Sequence, residues 1–150
     1  MSLTTVLQNL AVALANDSQI ESICTSAWGR SLTVYRRVGE LHVPEADRTP
    51  MVQIQSGTRS RDGHYVNHGL ILAVFAGGLA EPVQTGQVVA SADEADAEAL
   101  AERVEVVAQS SFDAQGVAAS PAEGEGDVIT GPFFVAAYSY VITLKNVIPL

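Results

Sequence analysis

One cysteine and one lysine in 150 residues close off several functions at once. Cys24 cannot form an intrachain disulfide, and it falls on the apolar stripe of an N-terminal helix, where a buried structural thiol is expected rather than a nucleophile. No apolar run approaches the roughly 18–20 residues of a membrane span. The opening stretch MSLTTVLQNL carries no basic residues, so no signal peptide is read there and a cytoplasmic-type chain is expected. The basic residues are too few for a broad phosphate-binding face, which argues against sequence-specific nucleic-acid binding. Catalytic signatures are missing as well. There is no G-x-S-x-G elbow, and FAGGLAEP (75–82) is not followed by the Gly-Lys-Ser/Thr of a phosphate loop. EGEGD (123–127) lacks the ligand spacing of a calcium loop. No catalytic residue, cofactor or metal site is predicted.

What is present is charge, unevenly placed. Residues 1–62 hold six arginines against six acids. Residues 63–150 hold Arg103 and Lys145 against eleven acids, which accounts for the whole net charge of −9. Opposed halves of this kind suit head-to-tail self-association, in which the arginine-bearing side of one subunit meets the acids of the next.

The chain is long enough for one domain, residues 1–150, with a core that needs no metal or disulfide. Leu3, Val6, Leu7, Leu10 and Leu14 follow helical spacing, and Ile20, Ile23, Cys24 and Ala27 resume it. Between them, Ser18 with Glu21 reads as a capping box, so either one kinked helix or two helices meet near Asn16–Asp17. Gly29 should stop the second run. SLTVYRRV (31–38) reads as a short, exposed edge strand and residues 39–50 as a loop. In MVQIQ, Val52 and Ile54 should face inward and Gln53 and Gln55 outward. GLILAVFAG (69–77) should be a central strand covered on both faces. Ser91 and Glu94 suggest a second capping box, opening a helix with Ala97, Leu100, Val104, Val107, Ala108 and Phe112 on one stripe. Residues 113–132 read as a long loop, and FFVAAYSYVITLKN (133–146) as a closing strand. The expected fold is α+β: a mainly antiparallel sheet of about four strands, two helices on one face, and a long β-hairpin. Both strand faces are mildly apolar, so the second face should also be covered, most economically by a neighbouring subunit.

TRSRDGHYVNHG (58–69) is the most polar stretch between strands. His64 and His68 stand about 13 Å apart if the segment is extended, too far to share a metal, and His42 adds no defined geometry. Asp62-Gly63 is instead a turn signal. The stretch therefore reads as the tip of a hairpin that projects beyond the domain body. Its candidate contact residues are Arg59, Arg61, Asp62 and His64, with Arg36 and Arg37 of the edge strand beside them.

The order of these elements resembles a known family. LTTVLQNLAVALANDSQI leads through a Pro-bearing loop to TPMVQIQSG and NHGLILAVFAG, then to the acidic helix SADEADAEALAERVEVVAQSSF and the strand FFVAAYSYVITLKN. This resembles the tail terminator, or tail-completion, proteins of long-tailed bacteriophages. The resemblance implies a virion structural protein without enzymatic activity, located in the tail or neck and in the host cytoplasm during assembly. Its partners would be itself, as a homohexameric ring, the tail-tube protein, and a head–tail connector, with no membrane. The alternatives are another connector or tail-tube-related subunit or, from a different class, a small ligand-binding or enzymatic α+β domain.

Overall fold

A computed structural model describes residues 1–38, 44–77, 82–121 and 134–145. Residues 39–43 of the expected loop at 39–50, with His42, residues 122–132 of the expected loop at 113–132, and the terminal NVIPL all lie outside the described residues. Three helices and two sheets make up the fold: α1 (Leu3–Asn16), α2 (Ser18–Trp28), β1 (Thr33–Val38), β2 (Met51–Asp62), β3 (Tyr65–Ala76), β4 (Pro82–Thr85), β5 (Val88–Ser91), α3 (Glu94–Ala114), β6 (Ala118–Pro121) and β7 (Phe134–Lys145). The main sheet has five strands in the order β1-β2-β3-β7-β6, and β4 and β5 form a separate two-stranded sheet. The class is α+β, as expected. The main sheet is larger than expected and mixed, because β1 runs parallel to β2 while the other pairs are antiparallel.

The N-terminal pattern resolves into two helices. Asp17, not Ser18, is the cap of α2: its carboxylate accepts from the Ile20 backbone N–H at 3.0 Å. Ser18 is the first residue of that helix. Gly29 ends it in the left-handed conformation (φ 67°), donating to the Thr25 carbonyl. At α3 the expected Ser91 cap is absent, since Ser91 closes β5 and Asp93 occupies the cap position without a side-chain capping bond.

One face of the main sheet and the three helices enclose the core. Val52, Ile54, Leu70, Leu72, Val74, Tyr140 and Ile142 point into it from the strands. Val6, Leu10 and Leu14 of α1, Ile20 and Cys24 of α2, and the predicted α3 stripe meet them. Phe112 packs edge-on against Tyr140 with ring centroids 5.4 Å apart. The central position of β3 between β2 and β7 explains its apolarity on both faces.

The opposite face corrects one expectation. Gln53 is buried (2% exposed), as are Met51, Ala73 and Phe75 on the same face. A parallel β1–β2 pair requires a crossover rather than a tight turn. The end of that crossover, with Pro44, Thr49 and Pro50 buried, lies over this side of the sheet and shuts Gln53 away from water. The chain itself therefore covers part of the face for which a neighbouring subunit was expected. Farther along it, Ile71, Val135 and Val141 remain half-exposed. The expected loop after α3 is corrected too: Ala118–Pro121 pairs with β7 as β6, the far edge of the sheet.

Candidate functional site

The stretch at 58–69 is a hairpin end, built with one irregularity. β2 and β3 stay in register from Met51↔Phe75 to Ser56↔Leu70, then shift so that Arg59 faces His68 and Arg61 faces Val66. The two residues Gly57 and Thr58 thus oppose the single Gly69, which is a β-bulge. A Cβ on Gly69 would collide with the Thr58 hydroxyl, so any other residue there would force the Thr58 side chain to move.

The bulge decides where the arginines go. Side chains alternate between faces along a strand, so an unbroken β2 would place Thr58 and Ser60 on the side of Ile54. The extra residue reverses that parity. Arg59 and Arg61 instead share the helix-side face with their partners His68 and Val66, and Asp62 falls on the other face opposite Tyr65. The turn is Gly63-His64 rather than Asp62-Gly63, with Gly63 at φ 58°. Glycine with positive φ at the first central position is the requirement of a tight two-residue hairpin. From Gly57 to Tyr65 every residue is exposed, so the tip extends past the core as expected. It is not a bare two-stranded arm, because β7 pairs with β3 out to Tyr65↔Lys145.

The edge-strand arginines separate. Arg36 lies on the helix side and donates to the Gln8 Oε1 of α1 at 2.7 Å. Arg37 lies on the other face, its guanidinium 6.0 Å from the centroid of the Tyr35 ring. Both Tyr35 and Arg37 line a shallow groove of about 390 Å³ shared with Pro44, Glu45, Asp47 and Arg48. β1 ends beside Ser56, so β2 continues to Asp62 without a β1 partner. Arg36, Arg59 and Arg61 therefore follow one another on the same face along one border of the sheet. Among the described residues, no carboxylate lies within salt-bridge distance of these three.

The two described histidines do not form a pair. His64 sits in the turn and His68 in the strand. Burial, and then the charge of Arg59, hold the His68 pKa below its ordinary 6.5. Among the described residues, no three His, Cys, Asp or Glu side chains come together. Burial pushes the Cys24 thiol up to about 12, with Glu21 adding to the effect, so at neutral pH it is not a thiolate.

Sequence reasoning missed one ion pair. Asp17, besides capping α2, accepts a two-pronged contact from Arg103 of α3, with Nε at 2.9 Å and Nη2 at 2.8 Å. An aspartate before Ser18 was a cap signal in its own right, but nothing local links it to residue 103. The Arg103 hydrogen bond lowers the Asp17 pKa from the ordinary 3.8, burial opposes this, and the Ile20 N–H lowers it further. A depressed carboxylate stabilises the fold fully above its unfolded pKa, and that contribution fades as pH falls through the folded value. Asp17→Ala should therefore cost at least about 1 kcal/mol at pH 7 through the lost cap. Its deficit relative to wild type should shrink below a pH of about 4. Urea unfolding of both proteins at pH 7 and pH 3 checks this, and a deficit that does not change with pH would show that the carboxylate's charge is immaterial.

Two further pairings hold α3 to the other helices, one at each of its ends. Trp28 Nε1 donates to Asp93 at 2.9 Å, tying the end of α2 to the start of α3, and Asn9 donates to Gln115 at 3.0 Å. No family model matches the chain, and no curated protein matches it in sequence. The fold and its surfaces define an α+β domain with an exposed, arginine-bearing sheet border.

Proposed function

We propose that this protein is a ring-forming tail terminator of a long-tailed phage, which caps the tail tube, stops its polymerisation and joins the tail to the head. The observation that carries this reading is the β2–β3 tip, exposed from Gly57 to Tyr65 with Arg59 and Arg61 turned to one face. Such a tip is built for contact with another protein. Support also comes from the charge layout. The arginines border the β1–β2 side of the sheet, whereas the exposed acids Glu94, Asp96, Glu98, Glu102 and Glu105 lie on α3, whose C-terminal end leads into β6 at the opposite edge. Rotation about a closed ring brings one side of each copy against the other side of the next. The element order supports the reading through the family resemblance.

Light scattering on the purified protein tests the ring, and electron microscopy of purified tail tubes mixed with it tests the capping. The expected results are a mass near six chains, and tubes that bear a terminal ring and no longer elongate. A protein that stays monomeric and leaves tube growth unchanged would overturn the proposal.

A further inference from the structure

At the far end of the sheet from the charged tip is a second hairpin of opposite character. β3 runs from Tyr65 at the tip to Ala76, and β4–β5 follows its distal end. Its turn repeats the device of the first: Gly86 at φ 64° opens a two-residue loop between the paired Thr85 and Val88. The ten residues from Pro82 to Ser91 carry no charge in a chain with 25 charged side chains. Val83, Val88 and Val89 are 53%, 65% and 61% exposed, and no other described element packs closely on them. A lone two-stranded hairpin is at best marginally stable in water, and valines this exposed gain only when something covers them.

The same chain carries a surface that fits. Between the end of α1 and the second half of α3 runs a groove of about 380 Å³ lined by Ala13, Val106, Val107, Ser110 and Ala114. Val106 there is 52% exposed, and Val12 beside Ala13 is 46% exposed. Small residues along its length leave room for branched side chains. The two charged groups at its rim, Asp17 and Arg103, neutralise each other at 2.8 Å, so an uncharged hairpin meets no unpaired charge. The hairpin does not fill its own groove, since its valines are exposed.

We infer that the β4–β5 hairpin of one copy docks in the α1–α3 groove of a second copy. The two surfaces differ and lie at different places on the chain, so the contact is head-to-tail and repeats around a ring. This deepens the ring reading and rests on it. A ten-residue hairpin is well short of the roughly 20–30 residues per side of a standard interface, so it acts together with the arginine–acid contact.

Single cysteine variants test the contact, because the one native cysteine is buried. Val88→Cys, on the hairpin face that also carries Val83 and Ala90, and Ser110→Cys proteins are oxidised separately and as a mixture, then run on a non-reducing gel beside light scattering of each. The expected result is a cross-linked dimer that forms in the mixture and in neither variant alone. Val88→Asp with Val89→Asp, which leaves the core untouched, should move the association midpoint about tenfold or more to higher concentration, as loss of a central apolar anchor does. Cross-linking of Val88→Cys alone would mean that hairpins meet each other, and would overturn the groove assignment. An oligomer without the mixed cross-link would also overturn it while leaving the ring intact. A protein that is monomeric at every concentration would remove both.

Discussion

Leu100→Ala should lower the stability of this protein by about 2–5 kcal/mol, the usual cost of truncating a buried leucine. Leu100 is fully buried at the centre of the α3 stripe, within the cluster that α1, α2 and the sheet close around it. The neighbouring elements are pinned by pairings of their own, Trp28 to Asp93 and Asp17 to Arg103, so they cannot collapse freely into the space left behind. Glu98, two residues earlier on the exposed side, is the control: its replacement by alanine should change stability by no more than roughly 0.5 kcal/mol. Urea titration reads both as midpoint shifts at constant slope. Equal losses would mean that the helix is turned the other way.

Reversing the charge of the tip should abolish assembly without unfolding the domain. In the double variant Arg59→Glu, Arg61→Glu, both altered side chains are exposed and outside the core, so the unfolding midpoint should stay close to that of wild type. Rings should fail to form or fail to cap tubes. The milder test is salt. Exposed ion pairs are individually weak, and they are screened beyond about 10 Å at 0.1 M ionic strength, so the proposed ring should loosen as salt rises if these pairs dominate. If the apolar hairpin contact dominates instead, it should resist salt. His68 supplies an internal reporter, since Arg59 now helps to depress its pKa; the variant should titrate His68 at higher pH by NMR. A variant that shows this shift, keeps its fold and still completes infectious tails would prove the tip to be only a turn.

Legibility in the sequence tracked how local each signal was. The α3 stripe, the buried β3 and the alternation of β7 were readable because each follows from periodicity within a single element. Asp17 and Ser18 are adjacent residues of equal capping quality, and the pattern that favoured Ser18 ignored that a distant arginine would also engage Asp17. Ser91 and Glu94 matched a capping box, but the serine was already committed to β5. That hairpin turns at Gly86-Gln87 between Thr85 and Val88, a weaker turn signal than Asn-Gly between apolar runs. The direction of β1 was not legible, because alternation says which face a residue takes but not which way the partner runs. Gln53 read as solvent-facing because the segment that covers it is a non-periodic loop. Arg36, Arg37, Arg59 and Arg61 were chosen by charge alone; which of them share a face depended on a bulge that becomes visible only once Gly69 is paired against Gly57 and Thr58.

Pairing with the unbroken β3 uncouples two properties of the tip, how far it reaches and which way its charges point. Adding one residue pair to each arm lengthens the hairpin by about 6.8 Å and leaves every side chain on its original face, because the strand repeat is two residues at about 3.4 Å each. Deleting Thr58 alone would remove the bulge and set Gly57 against Gly69, yet Arg59 would still face His68 and Arg61 would still face Val66, so neither arginine would leave the helix side. Changes in paired steps therefore tune the span to a neighbour without turning the charges away from it.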